Sequence, residues 1–470
     1  MKKHKKTLNK KEIIIYSIIV LFFVSLSLLI GFHHEPWADE AHAWLIARDT
    51  SFHTLFFKYL HTDGHPALWH LILKFFQFLK LPYKYIFIIP IIISTIGVII
   101  FEFKSKFPLL IKILIPFTYF IFFQYTTIAR GYCLLFPILC SIATIWDERY
   151  KKPLLFTILL FLLINTEAYT YIFAGMIYLF YLYDVWKNKD NFRNKKHIIS
   201  LAFLFISFIV TLLYVYPVPS NTFKTKLSMY FLSDSFITSL RTNDIIKHIL
   251  SFGILLYVLY AYTKSNNIKN FKILFAHLFP VYCFYIFFYN NIWHFGIIFL
   301  LFLFLIWIQK ETDNKYIIFL LLLTCLIQCY WNIRSCTYDF KNNYTGAKEV
   351  AKYLKQYDCD KLTIYGVSFY ESAINPYFDH NIFDNWQDDI GFFYWNKKNK
   401  YYDYYLDYDL LLNDNTDMVI SSDFIGKFDE ERLKEKYNIY RFEGYSYVED
   451  TKFENQTYVV YVSKNIDVGG

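Results

Sequence analysis

The sequence is dominated by apolar segments that are long enough to cross a lipid bilayer. Residues 13–31, IIIYSIIVLFFVSLSLLIG, carry no charged side chain, and similar segments recur as far as residue 332. A transmembrane helix needs about 20 predominantly apolar residues. A soluble core does not require a dozen such segments, so we predict a mainly α-helical, polytopic membrane protein.

The distribution of Lys and Arg predicts which of these segments cross. Positive charge accumulates in cytoplasmic loops, so the basic N-terminus MKKHKKTLNKK is predicted to be cytoplasmic. The later basic loops fall on the same side only if residues 66–81 do not cross; these loops are residues 104–106, 147–152, 184–197 and 263–269. We therefore expect residues 66–81 to form an interfacial or re-entrant helix on the outer face. The eleven predicted spans are residues 12–31, 84–102, 107–125, 131–146, 153–166, 169–183, 198–216, 246–262, 271–288, 294–309 and 315–332.

The net charge of the chain changes sign near residue 333. Residues 1–333 contain 32 Lys and Arg against 16 Asp and Glu, whereas residues 334–470 contain 16 against 24. We interpret the first part as a membrane domain and the second, called the tail below, as an extracytoplasmic domain. Helical and strand periodicity predicts a small α/β fold for the tail. The predicted tail helices are residues 345–357 and 429–437, and the predicted strands are residues 361–369, 417–422 and 457–463.

The outer loop after the first span has the composition of a candidate active site. Residues 35–49, EPWADEAHAWLIARD, contain Asp39 and Glu40, and seven of the 13 His lie between residues 33 and 70. An enzyme that uses a polyprenyl-phosphate sugar needs a carboxylate to accept a proton and a cation for the departing phosphate. We predict that Asp39 serves the first need. Arg130, in the outer segment TTIARGYC, serves the second, since its planar guanidinium matches phosphate.

Three short motifs resemble one family of membrane enzymes. The motifs are DEAHAWLIARD (39–49), DGHPALWHLIL (63–73) and IARGYCL (128–134). Together with the topology they resemble the GT-C superfamily of membrane glycosyltransferases, which includes protein O-mannosyltransferases and lipid A aminoarabinose transferases. More narrowly, they resemble a bacterial group of that type. The resemblance covers about residues 30–145, and it implies a GT-C-like fold with the catalytic loop at 32–83.

The resemblance also implies roles for individual residues. Asp39 would be the catalytic carboxylate, with Glu40 as its structural or electrostatic partner. Asp63 and His65 would lie near the donor phosphate or a divalent metal. Several relatives place an acidic residue where this chain has Arg130, and that departure argues against a metal bound between the two loops. No cofactor is therefore assigned, and a divalent metal stays open.

Further outer-face residues are candidates for substrate binding, beside plainer explanations. Glu167 and His294 stand at membrane boundaries with little polar company, which favours function; Tyr132 lies beside Arg130. His294 is as readily explained by an interfacial pair with its Trp neighbour, and Tyr132 by packing. The alternative for Asp39 and Glu40 is helix capping. His33 and His34 are predicted to be interface residues rather than ligands.

These observations predict an inverting glycosyltransferase of the cell membrane. It would move a sugar from a polyprenyl-phosphate carrier to an extracytoplasmic glycan, lipid or protein. A glycan polymerase or ligase is an alternative, suggested by Lys224, Lys226 and Arg241 in the outer loop 217–245. A flippase for lipid-linked glycans is another, and a binding domain on a membrane anchor is a third. No RNA- or DNA-binding motif accompanies the basic charge, so no nucleic-acid partner is expected.

Overall fold

The computed structural model describes residues 8–215, 231–237, 244–287, 292–386, 390–394, 416–422, 430–448, 451–453 and 456–466. This part of the chain is mainly α-helical, with a small sheet in the tail. The helices are α1 (Lys10–Gly31), α2 (Ala38–Asp49), α3 (Phe52–Thr54), α4 (Leu60–Asp63), α5 (Leu68–Phe78), α6 (Ile88–Lys104), α7 (Leu109–Leu114), α8 (Leu135–Ile145), α9 (Pro153–Ile164), α10 (Ala168–Lys187), α11 (Lys189–Arg193), α12 (Lys195–Val215), α13 (Phe231–Ile237), α14 (Asp244–Lys264), α15 (Ile268–Phe287), α16 (Ile292–Gln309), α17 (Lys315–Lys341), α18 (Ala347–Leu354) and α19 (Glu430–Lys436). The strands are β1 (Ile364–Gly366), β2 (Met418–Ser422), β3 (Tyr437–Phe442), β4 (Ser446–Val448), β5 (Thr451–Phe453) and β6 (Tyr458–Ser463). The segment 217–245 named in the polymerase alternative lies largely outside the described residues, and Lys224, Lys226 and Arg241 are among those left out.

Helix α1 begins at a capping box and leaves one apolar face uncovered. Asn9 accepts a hydrogen bond from the Glu12 N–H at 2.8 Å, and the Glu12 carboxylate accepts one from the Asn9 N–H at 3.0 Å. These bonds satisfy backbone donors that a helix start leaves unpaired. Phe23 is buried on the inner face, while the exposed apolar residues are Ile13, Ile14, Ile18, Leu21, Phe22 and Leu29. Such an uncovered apolar face suits lipid rather than water.

Seven helical segments of the described chain are long and apolar enough to cross a membrane, so it is a polytopic membrane protein in a lipid bilayer environment. They are Lys10–Gly31, Tyr83–Lys104, Leu109–Thr127, Gly131–Glu148, Lys195–Val215, Ile245–Lys264 and Lys315–Lys341.

The prediction of eleven spans is supported only as far as these seven. The other four predicted spans are helical, as α9, α10, α15 and α16, but each falls short of the requirement. Helix α9 has only 12 residues, and at 1.5 Å per residue it is too short for a hydrocarbon core of about 30 Å. Helix α10 is long enough, but its tyrosines and Asp184 reduce its apolar character.

Residues 66–81 form the short helix α5, which packs on α2 instead of appearing among the candidate spans. The Gln77 side-chain amide donates to the Trp44 carbonyl at 2.8 Å, and the Lys74 ammonium donates to the Ala47 carbonyl at 2.6 Å. Both bonds join α5 to the carbonyl groups of α2. Its outer face exposes Phe75 and Phe78, as expected of a helix that lies along a membrane surface.

An irregular segment between α7 and α8 determines the backbone at Arg130. Residues Phe120–Thr127 form a π-helix and Gly131–Leu134 a 3-10 turn, with Arg130 extended between them at φ −128° and ψ 163°. All eight residues of the π-helix are buried, which satisfies the requirement that irregular backbone at membrane depth be enclosed by protein. The change of chain direction between the π-helix and the 3-10 turn therefore places the Arg130 side chain against Asp39.

The tail contains a four-stranded mixed sheet in the order β1–β2–β6–β3. Strands β1 and β2 are parallel, and β6 pairs antiparallel with both β2 and β3. Every residue of β2 and β6 is buried, as expected of central strands. The three strands expected from the sequence are present as β1, β2 and β6, whereas β3 and the hairpin β4–β5 were not predicted.

The tail docks on α2, so the two lie at the same end of the helical bundle. An Arg48 guanidinium N–H donates to the Phe378 carbonyl at 2.8 Å, and the Asp49 carboxylate accepts from the Gly391 N–H at 2.8 Å. A salt bridge between Arg48 and Asp49 at 2.5 Å holds these two side chains together. The described part of the tail therefore covers the helix that begins at the predicted catalytic carboxylate.

Candidate functional site

Helix α2 separates the roles of the two adjacent carboxylates at its start. The Glu40 carboxylate accepts from the Trp37 N–H at 3.0 Å, so Glu40 caps the helix. Asp39 instead forms an ion pair with Arg130. The side chain of Asp39 is 18 % exposed and that of Glu40 is fully buried. The capping alternative thus describes Glu40 and not Asp39.

Glu40 fixes the loop that carries Arg130. Besides capping α2, its carboxylate accepts from the Ala129 N–H at 2.6 Å. It also lies 3.2 Å from Nε2 of His34. A buried carboxylate with three hydrogen-bond partners is well satisfied. Two of the three partners, the Ala129 N–H and the His34 ring, lie outside α2. Glu40 therefore joins the start of α2 to the segment that carries Arg130 and to the loop after α1.

His34 is a buried cation beneath the site rather than an interface residue. Its Nε2 faces Glu40, and its Nδ1 lies 3.1 Å from the Asp339 carboxylate at the end of α17. Burial alone would lower the pKa of His34, but the Asp339 and Glu40 carboxylates outweigh it and raise the pKa to about 10. This network joins the loop after α1, helix α2 and the end of α17.

Arg130 is held by its ion pair and by aromatic rings. Its guanidinium carbon lies 5.1 Å from the centre of the Tyr132 ring and 5.7 Å from that of Trp293. Both distances fall within the range of cation–π attraction. Burial alone would lower the pKa of Arg130, but Asp39 raises it. Arg130 is consequently a permanent cation, and 12 % of its side chain is exposed.

His65 and Glu167 complete the group around Arg130. Nδ1 of His65 lies 3.0 Å from the Glu167 carboxylate, and Nε2 lies 3.5 Å from a terminal nitrogen of Arg130. Burial alone would lower the pKa of His65, but Glu167 and Asp63 outweigh it and raise the pKa to about 9. We call Asp39, Arg130, His65 and Glu167 the Arg130 cluster.

Asp63 lies beside the Arg130 cluster, between two histidines that were not predicted as site residues. One carboxylate oxygen is 3.5 Å from Nδ1 of His42 and the other is 3.5 Å from Nε2 of His70. Burial alone would raise the pKa of Asp63, but the nearby His65 helps to lower it. Burial lowers the pKa of His70 to about 4. Only 9 % of the Asp63 side chain is exposed, so Asp63 acts on the cluster through its charge.

His294 and Tyr132 form the inner wall behind Arg130. Nδ1 of His294 lies 3.2 Å from the hydroxyl of Tyr169, and its ring centre lies 5.9 Å from that of Tyr132. Tyr132 is fully buried and His294 is 3 % exposed. The neighbouring Trp293 contacts Arg130 directly, and sequence reasoning had considered it only as a partner of His294. The position of Trp293 in the segment IWHFG (292–296), predicted to lie at the outer face, could have indicated that it belongs to the site.

A divalent metal was left open from the sequence, with Asp63 and His65 near the donor phosphate or that metal. Among the residues that the structure describes, no group of three or more His, Cys, Asp or Glu side chains is arranged to hold a metal ion. Asp39 is paired with Arg130, and Glu40 turns toward Ala129. The site is instead a chain of alternating charges with Arg130 at its centre.

Comparison with known proteins gives no independent assignment. No family model matches the chain, and no curated protein matches it either. A function has to be argued from the contacts of the Arg130 cluster and from its position at the end of the bundle where the tail docks.

Proposed function

We propose that the chain is an inverting glycosyltransferase that moves a sugar from a polyprenyl-phosphate carrier to an extracytoplasmic acceptor. The observation that carries the proposal is the Arg130 cluster, in which a partly exposed carboxylate, Asp39, is paired with Arg130, and Arg130 in turn adjoins a second cationic side chain, His65. Such a transfer needs a proton acceptor and an anion site within the reach of one sugar. The resemblance of the three motifs to GT-C enzymes supports the same assignment.

Asp39 would accept the proton of the acceptor hydroxyl as that oxygen attacks the anomeric carbon. The bond between this carbon and the phosphate oxygen breaks, and the electron pair stays on the phosphate. Because a carboxylate is a weak base for an alcohol, the proton moves late. Arg130 already has Asp39 as one anionic partner, and the departing phosphate would be the second.

Arg130 and His65 would bind that phosphate from adjacent positions. Tyr132 and Trp293 restrict the guanidinium to one orientation through their ring contacts. A restricted donor loses less conformational freedom when it binds an anion. Glu40 acts indirectly, since it fixes the backbone at Ala129, next to Arg130.

In the proposed topology the N-terminus is cytoplasmic, and the Arg130 cluster and the tail face outward at the cell membrane. The four helices that fall short of the span requirement form two consecutive pairs, α9–α10 and α15–α16, so the seven candidate spans by themselves keep the basic loops cytoplasmic. The tail would border the acceptor, because its Phe393 carbonyl lies 2.9 Å from Nε2 of His42, which follows Asp39 by one turn of α2. The carrier's polyprenyl chain would lie in lipid with its phosphate at headgroup level.

Lipid mass spectrometry on a deletion strain tests this function. Polyprenyl-phosphate sugar should accumulate in the deletion and clear when the wild-type gene is returned. Asp39→Asn should fail to clear it, with a rate loss of at least about 10²-fold, although the protein is made and folded. The matched control is Asp147→Asn, which changes an exposed Asp paired with Lys310. Clearance by Asp39→Asn at the wild-type rate would refute the role of Asp39.

A flippase for lipid-linked glycans is the second candidate, and one observation favours it. Asp234 of α13 lies 3.5 Å from the Lys247 ammonium of α14, and the two side chains are 4 % and 14 % exposed. Buried ionisable side chains at membrane helices are candidates for a substrate or ion pathway, and Lys247 lies near the start of the candidate span Ile245–Lys264. Accumulation of a pyrophosphate carrier bearing several sugars in the deletion strain would support this candidate over the transferase.

A further inference from the structure

Glu167 has a specific geometric relation to His65 that its position in the sequence does not reveal. It immediately precedes α10, and its side chain makes no capping bond to that helix. Its carboxylate lies 3.0 Å from Nδ1 of His65 instead. The Glu167 side chain is 4 % exposed and that of His65 is 32 % exposed. The carboxylate is therefore enclosed, while the imidazole reaches the surface of the site.

The partner of each ring nitrogen of His65 determines what the ring can do. A carboxylate only accepts hydrogen bonds, so Nδ1 carries the hydrogen that Glu167 receives. Nε2 lies 3.5 Å from a terminal nitrogen of Arg130. A guanidinium only donates hydrogen bonds. When the ring is charged, Nε2–H and the Arg130 N–H groups are adjacent donors, and an oxyanion shared between them satisfies both. When the ring is neutral, Nε2 is an acceptor and repels an anion.

We propose that Glu167 is a positioning residue that keeps His65 as a charged hydrogen-bond donor to the lipid phosphate. This inference rests on the proposed function, since it assigns the phosphate to the space shared by His65 and Arg130. It changes the expected role of Glu167 from substrate contact to support of the residue that makes the contact. A carboxylate that orients a histidine and stabilises its cation is a recurring arrangement.

The charge of His65 is set by several neighbours, not by Glu167 alone. The charged and titratable groups that act on it or feel its charge are Glu167 before α10, Asp63 on α4, Arg130 before α8, His42 on α2, His70 on α5 and His294 on α16. Arg130 opposes protonation, and Glu167 and Asp63 favour it. Glu167 is the stronger of these two carboxylates and the one in hydrogen-bond contact. Removal of the Glu167 charge should therefore lower the pKa of His65.

The test is the pH dependence of undecaprenyl phosphate binding to the full-length protein in lipid nanodiscs. The series starts above about pH 7.5, where a phosphate monoester with a second pKa of about 6 is already a dianion. Wild-type binding should weaken as the pH passes about 9, the pKa of His65. In Glu167→Gln the midpoint should fall by about 1–3 pH units, the effect of losing an adjacent opposite charge, so binding should already be reduced at about pH 8, where the wild type still binds fully. Glu167→Asp keeps the negative charge, so its midpoint should lie between those of Glu167→Gln and the wild type.

Two further variants make the result specific. Glu35→Gln changes another buried carboxylate, one paired with Lys348 at 3.1 Å, and it should keep the wild-type midpoint. His65→Gln should bind weakly at every pH and lose the step near pH 9, which tests the inference even if Glu167→Gln does not fold. Equal midpoints in wild type and Glu167→Gln, or a step that persists in His65→Gln, would overturn the role of the pair while leaving phosphate binding intact. A wild-type protein that binds no undecaprenyl phosphate at any pH would overturn the proposed function as well.

Discussion

The replacement His34→Gln should destabilise the protein in a way that depends on pH. The two ring nitrogens of His34 face carboxylate oxygens of Glu40 and Asp339, at 3.2 and 3.1 Å. Because carboxylates only accept, both nitrogens carry hydrogen and the ring is an imidazolium. Burial alone would lower its pKa, but the two carboxylates raise the pKa from 6.5 to about 10. Gln has no charge and can donate to the carboxylates only through one amide nitrogen.

The sign and size of the effect follow from this pKa difference. A pKa raised by folding adds stability that is complete below the unfolded value and is lost as the pH rises through the folded value. The window for His34 therefore runs from about pH 6.5 to about pH 10. At about 1.4 kcal/mol per pKa unit, the full contribution is on the order of 5 kcal/mol. The deficit of His34→Gln should be largest at and below about pH 6.5 and should shrink as the pH rises toward about 10.

The assay is the apparent melting temperature of the detergent-solubilised protein, followed by tryptophan fluorescence across this window. The matched control is His197→Gln, because the buried His197 ring bonds the hydroxyl of Tyr181 at 2.8 Å rather than a carboxylate. Its deficit should stay constant over the same range. His65 also contributes a pH slope, but it does so equally in both variants. A His34→Gln deficit that does not change with pH would refute the argument for a buried imidazolium.

Two more substitutions test the docking of the tail and the packing of the site. Arg48→Ala removes the hydrogen bond to the Phe378 carbonyl, at a cost of about 1–3 kcal/mol, and limited proteolysis should release the tail faster than in wild type; equal rates would contradict this contact. In Gly131→Ala the new Cβ would lie 3.2 Å from Cβ of Trp69 and 3.3 Å from the Glu167 carboxylate. Because Trp69 and Glu167 both crowd the new methyl group, we expect the Glu167 carboxylate to shift and undecaprenyl phosphate to bind more weakly at unchanged expression. The control Gly253→Ala, which meets nothing within 4 Å, should bind normally, and normal binding by Gly131→Ala would show that Glu167 tolerates displacement.

Much of the membrane architecture could be predicted from the sequence because apolar length is a local property. Each predicted span lies on a helix, and residues 66–81 form a short helix on α2, consistent with the distribution of Lys and Arg. The number of spans was predicted less well, because α9 is too short and α10 is not apolar enough to count as a candidate span. Strands β1, β2 and β6 were predictable from their apolar runs. Strand β3 was missed because its sequence, YNIYRF, contains no continuous apolar run, and it becomes a strand by pairing with β6.

The contacts within the site depend on the fold and could not be read from spacing. Asp39 and Arg130 were predicted for separate roles, and the π-helix before Arg130 and the 3-10 turn after it bring the two side chains together across 91 positions of sequence. His34 was expected at the interface, since nothing local shows that Asp339, 305 positions away, would face it. The roles of Asp39, His65 and Glu167 stay predictions, with geometry now available to test them.

The adjacency of Asp39 and Glu40 explains why the site needs two carboxylates in succession. Neighbouring residues on a helix point about 100° apart, so the pair cannot act on the same ligand from one face. Glu40 turns inward, where it binds two backbone N–H groups and His34. That anchor fixes Ala129, and with it the residue that pairs with Asp39. Asp39 can then stay partly exposed, because the rigidity of the site is supplied by its neighbour. Exchanging the two residues would keep the composition but remove the buried anchor, since Asp is one methylene shorter and falls short of the Ala129 N–H. Such a double variant should therefore lose both stability and transfer, whereas Asp39→Asn alone should lose only transfer.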